Sequence, residues 1–174
     1  RVKELSSGKD QFGEFSKKIL KSKKIFFKNS KNKIRKYNFY IVAVPTPIFY
    51  NKKPDLSHLK DVCDMLSKIL KANDIVIFES TVYPSVTNKY CIPLLEKKNK
   101  LKEGLDFFVG YSPERVNPGD NKHKLKNISK ILAYPHRYDK RKVTNIYKNL
   151  GKEIIFSKNI REAEAAKVIE NIQR

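Results

Sequence analysis

Short runs of consecutive apolar residues recur along this chain, and stretches with helical spacing separate them. The runs at residues 39–44 and 75–78 are continuous and rich in β-branched side chains. Such runs are typical of parallel strands that are buried on both faces. Three weaker runs predict further strands, at residues 107–110, 131–133 and 153–156.

Between these runs the apolar residues follow the spacing of one helix face. The clearest set follows residue 56 and consists of Leu59, Val62, Cys63, Leu66, Ile69 and Leu70. Asp55 or Ser57 can cap this helix. The same spacing predicts helices at residues 87–98, 139–150 and 161–174.

The start of the chain carries a weaker pattern. Residues 1–5 predict the end of a helix that stops near Gly8, and residues 15–20 have helical spacing. Residues 21–36 form a basic, loop-like run around an apolar patch at residues 25–27, which is a candidate short strand.

Strands that alternate with helices in this way predict an α/β fold with a parallel sheet. In such sheets ligands bind beyond the C-terminal ends of the strands. Polar clusters follow three of the predicted strands at that position, at residues 45–46, 79–81 and 112–115. The sequence therefore predicts a binding site at this edge of the sheet.

The first two clusters also have ordinary structural interpretations. Thr46, between two prolines, either bonds the phosphate or ribose of a ligand or belongs to a plain strand-to-loop turn. In the second cluster, either Thr81 orders a ligand or a water, or Ser80 and Thr81 cap the next helix. The residue pattern leaves both interpretations open.

The third cluster opens a longer polar run. Glu114 is followed by Arg115, Asn117, Asp120 and His123, with a Pro-Gly turn among them. The alternative to a binding loop is a solvated loop with an internal Arg–Asp pair. The length and composition of the run favour the binding loop.

Lys167 and Asn171 lie four residues apart on the last predicted helix, so their side chains project from the same face. An ammonium and an amide side by side can hold a developing oxyanion. The spacing alone favours a simpler interpretation, a solvent-facing lysine beside a polar neighbour.

Composition decides between broad classes of protein. Of the 174 residues, 40% are hydrophobic and 32% charged, which permits a buried core and excludes a disordered chain. The formal net charge of +20 raises the alternative of a non-enzymatic basic protein that binds nucleic acid. Only seven of the 38 basic residues are arginines, whose planar fork reads phosphates and bases better than lysine. A coding bias toward lysine therefore explains the charge better.

Several expected features of other protein classes are missing from the sequence. Cys63 and Cys91 lack metal-ligand spacing and predict reduced, partly buried thiols in a cytoplasmic protein. No apolar stretch approaches the roughly 18 residues of a membrane span, and the first residues lack a signal-peptide core. There is no Gly-x-Gly-x-x-Gly phosphate loop. Because the chain begins with arginine, its natural start is expected upstream.

Five short motifs stand in order along nearly the whole chain. They are IVAVPTP at residues 41–47, PDL at 54–56, ESTVYP at 79–84, YSPERVNPGD at 111–120 with His123, and AEAAKVIEN at 163–171. Together they resemble the UDP-glucose/GDP-mannose dehydrogenase family. The fourth motif resembles the branch that oxidises UDP-N-acetylhexosamines for surface polysaccharides.

The resemblance implies an NAD-dependent, two-step oxidation of a C6 alcohol to an aldehyde and then, through a cysteine thioester, to a carboxylate. The residues that it places along the cofactor are Val44, Pro45, Thr46, Ser80, Thr81 and Glu114. The residues to which it gives catalytic roles are Thr81, Glu114, Lys167 and Asn171. The residues that it places on the substrate side are Glu114, Arg115, Asn117, Lys167 and Asn171. It implies no metal.

Within these sets the resemblance implies particular roles. Thr81 would help to hold a catalytic water, and Glu114 would sit near the nicotinamide and the reacting carbon. Lys167 and Asn171 would hold the sugar and the thiohemiacetal oxyanion.

The resemblance also implies a domain plan. Residues 1–160 would form a partial NAD-binding domain, a Rossmann-type parallel sheet without its first βα unit. Residues 161–174 would start a long connecting helix at which the full-length enzyme forms a homodimer. The family's phosphate loop and nucleophilic cysteine are expected outside this chain, so the fragment is expected to be inactive alone. A nearer alternative is another dehydrogenase on a similar sheet, such as a β-hydroxyacid oxidoreductase.

Two positions depart from the family's glycines. Ser85 stands where the family usually has glycine, and no glycine follows the strand at residues 131–133. If residue 85 has a positive φ, serine costs of order 1 kcal/mol there. These departures suggest a gene fragment or a decaying reading frame.

Overall fold

The computed structural model describes residues 1–13, 15–30, 33–114, 128–134, 140–148 and 150–173. The chain divides into two compact units, Arg1–Lys36 and Tyr37–Arg174. Among the described residues, no helix has the length and apolar character needed to cross a membrane.

The first unit contains two short helices, α1 (Val2–Ser7) and α2 (Lys17–Leu20). Gly8 ends α1 with a φ of 82°, a left-handed conformation that suits a residue without a side chain. The Ser16 hydroxyl caps α2 by accepting a hydrogen bond from the Ile19 amide. Both helices lie where the sequence predicts helical structure.

The apolar patch at residues 25–27 is not a strand, so that prediction is wrong. The Ile25 amide donates to the Ser22 carbonyl and closes a turn instead. Phe26 is exposed, and none of the described strands pairs with this segment. Three apolar residues without a partner strand or a buried face gain nothing from an extended conformation.

The second unit is built on a parallel sheet. Its strands β1 (Phe39–Val42), β2 (Ile75–Phe78) and β3 (Phe108–Tyr111) lie side by side in that order, and both pairs are parallel. The helix α3 (Ser57–Leu66) connects β1 to β2. The predicted α/β fold with a parallel sheet is confirmed.

The strands differ in how deeply they are buried. All four residues of β2, the middle strand, are buried. In β1, which lies at one end of the described sheet, Ile41 is 44% exposed while Val42 is buried. Burial on both faces is therefore correct for β2 and wrong for β1, because a continuous apolar run does not reveal whether both faces will be covered.

Two further strands form a separate ladder. Strands β4 (Lys130–Leu132) and β5 (Ile154–Phe156) pair in parallel, with α5 (Lys140–Tyr147) between them in the chain. Ala133 and Tyr111 exchange backbone hydrogen bonds of 2.8 and 2.9 Å, which joins this ladder to β3. Residues from both ladders and from α5 then form one core cluster: Ile75, Ile77, Leu132, Val143 and Tyr147.

Gly110 allows the junction between the ladders to close. A Cβ atom at this position would lie 2.6 Å from the Ala133 carbonyl oxygen and 2.6 Å from Cδ1 of Ile77. We expect Gly110→Ala to lower the free energy of unfolding by about 1–3 kcal/mol, because the backbone of the neighbouring strand would have to shift. Urea unfolding followed by circular dichroism measures the change, and an unaltered midpoint would contradict the close approach.

The segment predicted as one helix at residues 87–98 begins with a wide π-helical turn, Thr87–Cys91, and continues as α4 (Ile92–Glu96). Pro93 has no amide hydrogen, and its ring crowds the preceding turn, which accounts for the widening. Helix α4 packs on α3. Cys63 and Cys91, predicted as reduced thiols, are both free and buried.

The last helix, α6 (Ile160–Gln173), packs against β3 and the π-helical turn. It begins with a reciprocal cap. The side-chain oxygen of Asn159 accepts a hydrogen bond from the backbone amide of Glu162. In return, the Glu162 carboxylate accepts a hydrogen bond from the side-chain amide of Asn159.

Ser85 has a φ of 79°, so the condition under which serine is costly at this position is met. Its side chain therefore carries a local steric cost. We expect Ser85→Gly to raise the free energy of unfolding by roughly 0.5–1 kcal/mol. This figure is the relief of steric cost minus the greater conformational entropy that a glycine loses on folding. Ser85→Ala is the matched control in urea unfolding. It keeps the Cβ atom, so an equal gain in that variant would contradict backbone strain as the cause.

Candidate functional site

The three main strands end at a common edge, and a pocket opens there. Residues 43–46 follow β1, residues 79–81 follow β2, and Glu114 lies three residues beyond β3. The pocket has a volume of about 410 Å³. Its lining consists of Ala43, Val44, Pro45, Thr46, Glu79, Ser80, Thr81 and Glu114. All six residues predicted to lie along the cofactor are therefore brought together in one pocket.

Ser80 joins the loop after β2 to the loop after β1. The Val44 amide donates to the Ser80 hydroxyl oxygen at 3.0 Å, and the same hydroxyl donates to the Val44 carbonyl at 2.7 Å. Ser80 is almost fully buried, so its side chain replaces the strand pairing that ends at Val42. These two hydrogen bonds hold the loops that form the pocket wall. They also account for the end of β1 at Val42, two residues before the predicted end.

Thr46 and Thr81 make a second link between the same loops. The Thr46 hydroxyl donates to the Thr81 carbonyl at 2.5 Å. At the pocket surface Thr81 is exposed and Thr46 is half-buried. Thr46 therefore stabilises the loop, and both threonines remain accessible to a ligand.

Below the pocket a lysine ammonium faces two carboxylates. Lys130 is 2% exposed, and its Nζ lies 3.2 Å from Oε2 of Glu79 and 4.0 Å from Oε2 of Glu114. The Glu114 side chain is 42% exposed, so it also reaches the open side of the pocket. The Glu114 carboxylate thus lies at the predicted edge of the sheet, with the buried Lys130 ammonium beside it.

Tyr147, from the end of α5, completes this arrangement. Its hydroxyl donates to Oε1 of Glu79 at 2.6 Å, and its ring lies 5.9 Å from the Lys130 ammonium. Burial raises the pKa of the Tyr147 phenol well above its usual range, and the neighbouring Glu79 carboxylate raises it further. The phenol therefore stays protonated and acts as a donor to Glu79.

Lys167 and Asn171 do not line this pocket. Lys167 is buried, and its Nζ lies 3.9 Å from Oε2 of Glu170. The interpretation of a solvent-facing lysine is therefore wrong, because α6 packs this part of its surface against the domain. Asn171 is exposed. Arg115 and Asn117, also predicted on the substrate side, lie outside the described residues.

Glu164 anchors α6 beside the pocket. It is fully buried, and its carboxylate accepts hydrogen bonds from the amides of Ser85 at 2.5 Å and Thr87 at 2.9 Å. The loop that carries Thr81 thus continues into a segment bonded to the helix that carries Lys167.

Comparisons with known proteins identify the family of this chain. A sequence model of the UDP-glucose/GDP-mannose dehydrogenase family, NAD binding domain, matches residues 1–151. The chain belongs to this family.

Curated family members cover the full chain at substantial identity. Protein CapL of Staphylococcus aureus is 41% identical over 175 residues. UDP-N-acetyl-D-glucosamine 6-dehydrogenases of Salmonella typhi and Pseudomonas aeruginosa are 40% and 42% identical. Each alignment includes 100% of this chain but only 41–42% of the relative. The chain therefore spans about two fifths of the length of the curated relatives that it matches.

Solved structures of dehydrogenases in this family have the same fold. The UDP-D-ManNAc dehydrogenase from Pyrococcus horikoshii aligns over 99% of this chain and 42% of its own, with a TM-score of 0.89 and 30% identity. The NDP-N-acetyl-D-galactosaminuronic acid dehydrogenase from Methanosarcina mazei aligns over 99% and 38%, with a TM-score of 0.86 and 25% identity. The Rossmann-type assignment of the parallel sheet is confirmed.

Three residues of this arrangement have no role in the sequence-based prediction. Glu79 belongs to one of the predicted polar clusters, and the sequence pattern singles out neither Lys130 nor Tyr147. A signal for Lys130 does exist, because it is a charged residue that alternates with Leu132 on the inward face of a short apolar strand.

Proposed function

We propose that this chain is the part of an NAD-dependent UDP-N-acetylhexosamine 6-dehydrogenase that surrounds the nicotinamide. The reaction would convert the C6 alcohol of the sugar to a carboxylate in two oxidation steps. The observation that carries the proposal is the gathering of the six predicted cofactor residues in one pocket at the C-terminal edge of the sheet. Two relatives near 40% identity are UDP-N-acetyl-D-glucosamine 6-dehydrogenases, which favours that sugar class.

The pocket residues suit a nicotinamide and its ribose. The volume of about 410 Å³ lies within the usual range of roughly 300–1,000 Å³ for small-molecule sites. Thr46 and Thr81 present hydroxyls at the rim, and Val44 and Pro45 supply an apolar wall. When bound, NAD would supply the hydride acceptor, and these residues would orient its ring.

Glu114 is the residue that we propose to move a proton at the reacting carbon. It lines the pocket and is partly open to solvent. In the proposed reaction Glu114 would act as a general base or acid, and Thr81 would hold a water. Lys167 and Asn171 would bind the sugar and the oxyanion, with Arg115 and Asn117 on the substrate side.

The biological setting is part of the same proposal. The uronic acid product would serve surface polysaccharide synthesis in the cytoplasm, and the full-length enzyme would be a homodimer. The exposed apolar residues of α6, Val168, Ile169 and Ile172, favour a helix that is covered in the assembled enzyme. The family match favours this enzyme over the alternative of a basic protein that binds nucleic acid.

A chimeric enzyme tests the proposal. This chain would replace the aligned segment of the Pseudomonas aeruginosa relative, and NADH formation would be followed by absorbance. We expect turnover with UDP-N-acetyl-D-glucosamine and at least tenfold less with UDP-glucose. Glu114→Gln in the chimera should lower kcat by about 100-fold or more, as expected for the loss of a general acid–base group.

The control is calorimetric titration of NAD⁺ into the folded chimera and into the Glu114→Gln variant. A chimera that folds and binds the UDP-sugar, but neither binds NAD⁺ nor reduces it, would refute the proposed function. Retention of full kcat by the Glu114→Gln variant would refute the role of Glu114 alone.

A further inference from the structure

The most informative feature outside the predicted site is the buried ammonium of Lys130. Strand β4 places Lys130 and Leu132 on its buried face. Burying an ammonium is unfavourable unless other groups pair with it, so its partners indicate why it is there.

The first partner of Lys130 is Glu79, which is held from two sides. Its Oε2 lies 3.2 Å from the Lys130 ammonium, and its Oε1 accepts the Tyr147 hydroxyl hydrogen at 2.6 Å. These three residues come from β4, the end of β2 and the end of α5. We call Lys130, Glu79 and Tyr147 the buried clamp.

The second carboxylate near Lys130 is Glu114. Its Oε2 lies 4.0 Å from the ammonium, on a segment that follows β3 rather than within a strand. A lysine ammonium has three donors, and Glu79 takes one of them. At this separation, and with the ammonium shielded from water, the attraction between the charges is stronger than at an exposed site.

We propose that Lys130 is a positioning residue for Glu114, and that the buried clamp holds the Glu114 carboxylate at a fixed place in the pocket. Lys130 does not reach the pocket surface, so it acts through Glu114 and not on a substrate. Glu79 and Tyr147 fix the ammonium, and the ammonium then restrains the carboxylate on the more exposed segment. This inference rests on the proposed function only in that Glu114 is taken as the working carboxylate.

A purely structural ion pair between Lys130 and Glu79 makes a different prediction. In that case the environment of Glu114 would not depend on Lys130. Two variants that differ only at Lys130 separate these cases, namely Glu79→Gln and Glu79→Gln/Lys130→Met. Neither variant leaves Glu79 as an unpaired buried carboxylate. In Glu79→Gln the Lys130 ammonium keeps the Glu114 carboxylate and an amide oxygen at position 79 as partners, so this variant is expected to be less stable but folded.

The measurement is NMR of the 174-residue chain labelled with ¹³C at the glutamate carboxyl, without NAD⁺. The Glu114 resonance is assigned by its loss in Glu114→Gln. We expect the Glu114 resonance to shift and broaden when Lys130→Met is added to Glu79→Gln. In Lys130→Arg, which keeps a positive charge, the Glu114 resonance should stay near its original position. Lys102→Met, which removes an exposed ammonium paired with Glu96, is the control and should leave it unchanged.

A reciprocal measurement avoids mutating the buried residues. In lysine-labelled protein, the Lys130 ε-carbon resonance should move in Glu114→Gln and not in Glu153→Gln, which alters an exposed carboxylate. Unchanged Glu114 and Lys130 resonances in these comparisons would overturn the inference. Because no NAD⁺ is present, this result is independent of the chimera. A folded chimera that binds the UDP-sugar but neither binds nor reduces NAD⁺ refutes the proposed function, whereas absent coupling between Lys130 and Glu114 refutes the positioning role.

Discussion

Replacing Lys130 with methionine should lower the free energy of unfolding of this chain by about 3–5 kcal/mol, the usual range when one partner of a buried ion pair is removed. Methionine fills a similar volume but leaves the Glu79 and Glu114 carboxylates near each other without a cation between them. The Tyr147 hydroxyl still donates to Glu79 and compensates only in part. Urea unfolding followed by circular dichroism at neutral pH measures the loss.

Two controls identify the cause of that loss. The double variant Lys130→Met/Glu79→Gln should recover most of the stability, because a neutral amide can still accept from Tyr147 and no longer requires a counter-charge. Lys102→Met removes an ammonium that is 63% exposed, and its effect should be several-fold smaller. If the double variant were as unstable as Lys130→Met alone, lost packing rather than the unpaired carboxylate would be the cause.

The second large effect is expected at Glu164. Replacing it with alanine should lower the free energy of unfolding by about 3 kcal/mol, because the Ser85 and Thr87 amides both lose a charged acceptor in a buried place. Glu164→Gln should lose roughly half as much, since its amide oxygen can accept from only part of this pair. Thermal and urea unfolding of both variants measure these differences.

Glu153→Ala is the matched control for Glu164→Ala. Glu153 is exposed, and its carboxylate accepts a hydrogen bond from the Ser129 hydroxyl at 2.8 Å, so removal of the side chain should have a much smaller effect. Equal losses in the two alanine variants would mean that Glu164 does not anchor α6. A stable Glu164→Ala variant would contradict the bonding of α6 to the segment after Thr81.

The parallel strands were predictable because their signal is local. Residues 75–78 are apolar without interruption, and β2 is buried on both faces as expected. The edge that carries the pocket was also predictable, since parallel strands bring their C-terminal ends together. The sequence alone therefore groups Thr46, Thr81 and Glu114 at one edge of the sheet.

Other features depend on which segments meet. Ile41 belongs to an equally apolar run, yet it is exposed because the described segments leave this face of β1 partly uncovered. The patch at residues 25–27 is apolar too, but no described strand pairs with it. The apolar character of a segment indicates which residues gain from burial. It does not indicate whether another segment will cover them.

Local sequence patterns are sufficient to predict the α/β class, the family, and the strand ends at which the candidate site lies. Only the tertiary structure showed that Lys130, Glu79 and Tyr147 meet beneath the pocket, and that Glu164 bonds to amides 77 and 79 residues away. The reason is physical. Hydrophobic periodicity is a property of residues that are close together in the sequence. A buried charge is shielded from water and needs a partner, and that partner comes from a segment distant in the sequence.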